Sequence, residues 1–225
     1  RQRQMCIRDR NFDPERIMAI HNGYNDRFRP MEGTAETVCK YLQDPEFLFF
    51  LGNTDPKKNT PGTLKAYAEY VRRSEKPLPL LIADLGEQPA EAILREIGEP
   101  RLRGMLRLAG YIPNSDLPAI YNRASAFLYT SLRESFGIPQ LEAMACGTPV
   151  VTSATSAIPE VAGQGAILVD PTDPTAIADA LLRLETDAEF RAGQVAYGLE
   201  RVKQFSWEKT ARHLLALYES LGKTN

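Results

Sequence analysis

Residues 126 to 153 read AFLYTSLRESFGIPQLEAMACGTPVVTS. Two apolar runs, AFLYTS (126 to 131) and TPVVTS (148 to 153), flank IPQLEAMAC, which has helical spacing, a proline at its start and Gly147 placed to end it. Strand, turn, helix and strand in so short a span is the unit of a parallel sheet, because parallel strands need a crossover whereas a hairpin needs only a turn. Each run has an apolar centre, FLY and PVV, rather than strict alternation, as strands covered on both faces do.

The same alternation extends in both directions. Further strands are expected at EFLFFLG (46 to 52), LPLLIAD (78 to 84), RLAGY (107 to 111) and GAILVD (165 to 170). Helices are expected at TPGTLKAYAEYVRRS after Asn59 and at SDLPAIYNRA with Ser115 as N-cap. In DPTAIADALLRLE, Asp173 caps, Pro174 suits the first turn, and Ile177, Leu181 and Leu184 form one stripe. SWEKTARHLLALYESL repeats the device, with Ser206 as cap and Trp207, Ala211, Leu214, Leu215 and Tyr218 on one face. The fold class is therefore α/β, a doubly wound parallel sheet. There are no internal repeats and no low-complexity tracts.

Composition agrees with one large domain: 225 residues, 43% hydrophobic and 25% charged. No apolar run spans a bilayer and no signal-peptide core opens the chain, which reads as cytoplasmic. Cys6, Cys39 and Cys146 are too few and too irregular for a disulfide framework or a Cys-x-x-Cys metal site, and read as reduced thiols in small apolar positions. The first ten residues, RQRQMCIRDR, carry four arginines without periodicity. They read as a tail or as a non-native artefact, MCIRDR resembling one frame of a transposon end from sequencing libraries, which implies a fragment truncated upstream. Without them the chain holds 23 basic and 28 acidic residues, a net charge of about −5, and no basic face that would suit nucleic acid. Residues 11 to 30 read as a linker, with NGYNDRFRPM rich in turn formers; 31 to 204 as the main domain; and 205 to 225 as a closing helix.

In a doubly wound sheet the chemistry lies beyond the carboxyl ends of the strands. After FLFFLG comes NTDPKKNTPG, which puts Lys57 and Lys58 before a helix. Amines beside a helix N-terminus suit a phosphate, and the same pair suits a solvated surface turn equally well. After AFLYTS, the turn LRESF leads to Gly137, Ile138 and Pro139; the glycine allows close approach to the backbone and the proline sacrifices no donor. A diphosphate fits such a helix start. Acids there would repel it, but an ionised carboxylate accepts hydrogen bonds from neighbouring sugar hydroxyls. Glu134 before the turn and Glu142 inside the helix would reach two sides of one bound molecule, a transferred sugar and a ribose. The plainer alternative is a helix-dipole acid and a surface helix glutamate.

Glu134 and Glu142, with seven residues between, followed by AMACGTPVV, PEVAG and LVDPTDP, resemble the group 1 retaining glycosyltransferases of the GT-B fold. NTDPKKN, LAGYIPNSDLPAIYNRASAFLYTS and FSW stand in the same order and spacing, so the likeness runs over roughly residues 20 to 221. It implies the C-terminal, Rossmann-like half of a two-domain enzyme, the half that holds a nucleotide-diphosphate sugar as donor substrate. It implies that Lys58 contacts the diphosphate, Glu134 the transferred sugar and Glu142 the ribose, while the backbone of Phe136, Gly137 and Ile138 receives sugar or phosphate oxygens. Ile112 falls where the family's backbone reads the base, and Thr130 and Ser131 end the strand beneath the sugar. No cofactor is implied beyond the donor, and no metal, since no Asp-x-Asp pair occurs. A glycan or lipid-linked acceptor would be held by an N-terminal domain, with peripheral membrane association of the longer enzyme and a place in polysaccharide biosynthesis.

The sequence departs from the family at three places. Asn53 stands where many relatives carry arginine, so that one phosphate contact falls to Lys57 or is lost; Thr130 stands for a common proline and Asp84 for a common glycine. The implied reaction keeps the anomeric configuration, with Glu134 orienting the sugar and not assigned as a covalent nucleophile. A non-catalytic nucleotide-sugar-binding subunit would be expected to lose Lys58 or Glu134, and both are present. A GT-B sugar-nucleotide epimerase should show a different carboxylate and histidine arrangement. His21, His213 and the aromatics Tyr121, Phe127 and Tyr129 read as structural.

Overall fold

The computed structural model describes residues 18–222; the basic segment 1–10, Cys6, residues 11–17 and the last three residues lie outside the described residues. The apolar runs form six parallel strands: β1 (Leu48–Leu51), β2 (Leu80–Ala83), β3 (Leu106–Gly110), β4 (Ala126–Tyr129), β5 (Val150–Ser153) and β6 (Ile167–Val169). They lie in the order β3-β2-β1-β4-β5-β6. Successive side chains go to opposite faces. Phe49, Leu81, Phe127, Tyr129 and Val150 enter one layer, and Leu48, Phe50, Leu80, Ile82, Leu128 and Val151 the other. Both faces of the central strands β1, β2 and β4 are buried, which is why these strands carry no polar residue.

The helices are α1 (Ala35–Val38), α2 (Thr60–Arg73), α3 (Glu87–Glu96), α4 (Leu117–Arg123), α5 (Ile138–Ala145), α6 (Ile158–Ala162), α7 (Pro174–Thr186), α8 (Ala188–Val202) and α9 (Trp207–Gly222). Helices α1, α4, α5 and α6 cover the first layer, where Tyr121 sets its edge against Phe127 at 5.1 Å and Phe49 at 5.4 Å. Helices α2, α3 and α7 cover the second. Asp173 caps α7, accepting from the amides of Thr175 and Ala176 at 3.0 and 3.1 Å, and Ser206 caps α9 through the Lys209 amide at 3.1 Å.

The structure differs from the sequence reading at several points. Ser115 does not cap α4. Asp116 holds that position, and its carboxylate is taken by the Tyr41 hydroxyl at 2.7 Å, the Lys40 ammonium at 3.3 Å and Ser115 itself, so no side-chain cap forms. Helices α3 and α8 were not apparent from the pattern, because each buries only a few small or isolated residues: Ala90, Ile93 and Leu94 in one, Gly198 and Val202 in the other. The segment read as a linker sends Phe28 into the first layer and is tied down by Asn122, which donates to the Arg29 carbonyl and accepts from the Met31 amide. Helix α9 buries none of its residues; Trp207, Leu215 and Tyr218 are 50%, 59% and 67% exposed. Cys146 is buried and Cys39 exposed, both free thiols.

Candidate functional site

The strand order reverses between β1 and β4: from β1 the chain winds out to β3, then returns across the sheet to continue at β4. A crevice opens at such a switch point, outside the carboxyl ends of the two strands. The loops that meet there are 52–59 and 130–137, the two that the sequence singled out. The Leu132 amide donates to the Lys57 carbonyl at 2.7 Å and fixes one loop to the other.

Lys58 lies in a single 3-10 turn, Pro56–Lys58, capped by the Asp55 side chain on the Lys57 amide. Asn59 then takes the left-handed conformation, φ 56°, and starts α2. Its side-chain amide donates to the carbonyls of Thr130 at 3.1 Å and Pro171 at 2.7 Å, bracing the loops after β4 and β6. A Cβ on Gly62 would meet the Asn59 side-chain oxygen at 2.4 Å, so a larger residue there would push Asn59 out of this bracing position. Thus held, the Lys58 ammonium pairs with Glu134 Oε1 at 2.9 Å, with only 24% and 19% of the two side chains exposed. It also stands 5.4 Å from the centre of the Tyr129 ring at the end of β4. Burial first, then the charge of Glu134, hold the Tyr129 phenol far above its ordinary range.

Helix α5 starts at Gly137, φ 95°, with Ile138 and Pro139 in its first turn. The first amides of a helix have no partner within it. A Cβ on Gly137 would lie 2.8 Å from Gln140 Nε2 and 3.3 Å from the Tyr129 ring. Gln140 is fully buried with Nε2 unpaired. One turn further, the Glu142 carboxylate is partly buried and accepts no hydrogen bond from any described residue. Burial pushes it up to about 7, with Arg27 pulling the other way. Beneath it Tyr121 is wholly enclosed, its hydroxyl unpaired, and burial followed by the Glu142 charge drives Cys146 up to about 12. Glu142 is therefore not a surface helix glutamate.

The other residues singled out fall as follows. Lys57 turns to solvent and pairs with Asp55 at 3.1 Å. Thr130 is fully buried, its hydroxyl 2.6 Å from that of Thr63, and Ser131 is buried with its carbonyl taken by Ser153, so both brace the strand end. Ile112 packs its side chain into the first layer. Phe136 lies partly buried against His21 and Phe205, with ring centres 6.0 and 5.9 Å away. His21 also meets Glu160 at 2.9 Å. Asn53 caps its own turn, accepting from the Asp55 amide at 2.9 Å, and Asp84 takes the left-handed conformation, φ 60°. The sequence reading missed Asn59, Arg27 and the hydroxyls of Thr155 and Ser156; serine at φ 61° carries no signal for that conformation.

Among the described residues, no three His, Cys, Asp or Glu side chains gather as a metal cage, and no helix is long and apolar enough to cross a membrane. Chemically, one ammonium and one carboxylate meet where the two loops come together, before the start of α5, and the Glu142 carboxylate follows one turn along that helix.

The model of the family "Glycosyl transferases group 1" matches residues 40–201. An Escherichia coli protein described as O-antigen chain mannosyltransferase B is 34% identical over 223 residues, covering 97% of this chain and 58% of that one. Among solved structures, sucrose-phosphate synthase from Thermosynechococcus elongatus superposes with a TM-score of 0.81 at 24% identity, over 100% of this chain and 57% of that one. Anabaena HepE, solved in complex with UDP and glucose, superposes with a TM-score of 0.78 at 17% identity, over 96% and 60%. The chain spans little more than half, and for some only a quarter, of the length of its curated relatives.

Proposed function

Since the chain belongs to the group 1 glycosyl transferases, with the fold of a GT-B C-terminal domain, we propose that it binds a nucleotide-diphosphate sugar and, together with an acceptor-holding domain, transfers the hexose to an acceptor hydroxyl with retained configuration. The observation that carries this reading is the Lys58–Glu134 pair set at the switch point before the N-terminus of α5. The ammonium and the helix amides face the diphosphate, Glu134 the sugar hydroxyls and Glu142 the two ribose hydroxyls.

In the reaction the bond between the anomeric carbon and the phosphate oxygen breaks, and its electron pair leaves on the nucleoside diphosphate. The acceptor oxygen forms the new bond on the same face, and its proton passes to the departing phosphate oxygen. Lys58 and the α5 amides stabilise the charge that builds there, as preorganised donors in a partly enclosed crevice do. They take the part a divalent cation would otherwise play. Ordinary surface lysines would be screened; Lys58 is three-quarters covered. The mannosyltransferase relative and the HepE complex with UDP and glucose support a hexose donor of this class, and the O-antigen context supports a glycan acceptor in polysaccharide biosynthesis.

Calorimetry on the folded chain with UDP, GDP and ADP, first in EDTA and then with magnesium, tests the donor reading. Weak binding of at least one nucleotide is expected in EDTA, little changed by magnesium. No binding to any of the three by a folded chain would refute it, and strictly magnesium-dependent binding would refute the metal-free part. The chain alone is expected to transfer no sugar, since without a held acceptor it forfeits the roughly 7 to 11 kcal/mol that positioning can supply at best.

A further inference from the structure

The backbone pairing of β4 with β5 ends at Tyr129 and Thr152, yet contact between the two segments continues. Beyond that point, side-chain hydroxyls replace the amides. Thr152 donates to the Tyr129 carbonyl at 2.9 Å, Ser153 to that of Ser131 at 2.6 Å, Thr155 to that of Leu132 at 3.2 Å and Ser156 to that of Glu134 at 2.6 Å. The run TSATS thus continues the β4–β5 pairing as a ladder of hydroxyls into the loop that carries Glu134. The last rung differs from the others. Ser156 Oγ also accepts from the Glu134 amide at 3.3 Å, so one hydroxyl holds both backbone groups of the same residue. It does so from the left-handed region, φ 61°, a conformation that serine adopts at a cost.

We infer that Ser156 is a positioning residue: it fixes the backbone of Glu134 so that the carboxylate stays in register with Lys58 and with the sugar. This rests on the donor reading above. The inner rungs, Thr152 and Ser153, are buried and hold the strand end. Ser156 is exposed and supports no core, and what it holds is Glu134. The Glu134 side chain is itself tied to Lys58, on a loop from the other side of the switch point. With backbone and carboxylate both anchored, the acid is presented in one orientation before any sugar arrives, as a preorganised acceptor must be.

The test compares Ser156→Gly and Ser156→Ala with the parent chain and with Glu134→Gln. Affinities for UDP and UDP-glucose, and for GDP and GDP-mannose, are measured by calorimetry, and amide hydrogen exchange is followed at Glu134. Glycine relieves the backbone conformation and alanine keeps it, while both remove the hydroxyl. Both variants are expected to leave nucleotide affinity unchanged, to raise the ratio of nucleotide-sugar to nucleotide dissociation constants about fivefold, the equivalent of one ordinary hydrogen bond, and to speed exchange at Glu134. A merely structural role would shift both ligands together or lower stability, and either result overturns the inference. An unchanged ratio in the Ser156 variants while Glu134→Gln moves it overturns the inference alone. An effect in alanine but not glycine assigns the change to backbone strain and overturns it too. If Glu134→Gln leaves the ratio unmoved, Glu134 does not meet the sugar, and the donor reading falls together with this inference.

Discussion

Glu142→Gln should make the unliganded protein more stable, and only above mildly acidic pH. In the fold the Glu142 carboxyl is raised from an ordinary value of 4.5 to about 7, mainly by burial. An acid with a raised native value binds its proton more tightly in the fold than in the unfolded chain. Its ionisation therefore works against folding, with no effect below 4.5, a growing one between 4.5 and 7, and a constant one above. The gap of about two and a half pH units corresponds to at most ~3 kcal/mol. Residual solvent contact and the imperfect fit of an amide reduce this to about 1 to 2 kcal/mol, or roughly 2 to 8 °C in melting temperature for a chain of this size. Thermal and urea unfolding of parent and variant at pH 4.5, 6 and 8 measures the difference. It should grow in the variant's favour from pH 4.5 to 8, while nucleotide affinity at pH 8 falls. A difference that stays the same at all three pH values would refute the account, since no titration of Glu142 would then be linked to folding. The parent's own nucleotide affinity should weaken as pH drops below about 7, because a protonated carboxyl no longer accepts from both ribose hydroxyls.

In an enzyme completed with its acceptor domain, Glu134→Gln should largely abolish transfer while leaving nucleoside diphosphate affinity within a few-fold; equal transfer rates would remove Glu134 from the site. Lys58→Ala should weaken UDP or GDP binding by about 1.5 to 3 kcal/mol, the range for a hydrogen bond to a charged group, and unchanged affinity in calorimetry would return the turn to a solvated surface. Gly137→Ala places a Cβ 2.8 Å from Gln140 Nε2 at a φ of 95°. It should destabilise the fold by about 1 to 3 kcal/mol, and parent-like unfolding would show that the helix start relaxes freely.

The strands were legible because both faces of the sheet are covered, which forces runs such as FLFFL and AFLY to be apolar throughout. The glycine and proline that start α5 were legible because each answers a local backbone demand that does not depend on the rest of the fold. The direct contact of Lys58 with Glu134 was not, because it depends on which strands become neighbours. Nor was the burial of Glu142: a helix glutamate looks the same in sequence whether it faces water or Tyr121, and only the packing of α4 against α5 decides. Ser156 was hidden for the opposite reason, since its conformation runs against the preference of its own residue type. Helix α8 escaped because its packing uses Gly198 and Val202 rather than a stripe of large residues.

Lys58 and Glu134 are 76 residues apart in the chain, and the strands that carry them sit side by side. Between them lies everything needed to build β2 and β3, so one edge of the sheet can form completely while the crevice does not yet exist. Closing that long loop is a slow, entropically late event. On the proposed donor reading, nucleotide has nothing to grip on a half-built sheet, and it acts only on the finished product by mass action. In refolding experiments it should slow unfolding and leave the early folding rate untouched, which makes ligand binding a clock for the moment when the two halves of the sheet meet.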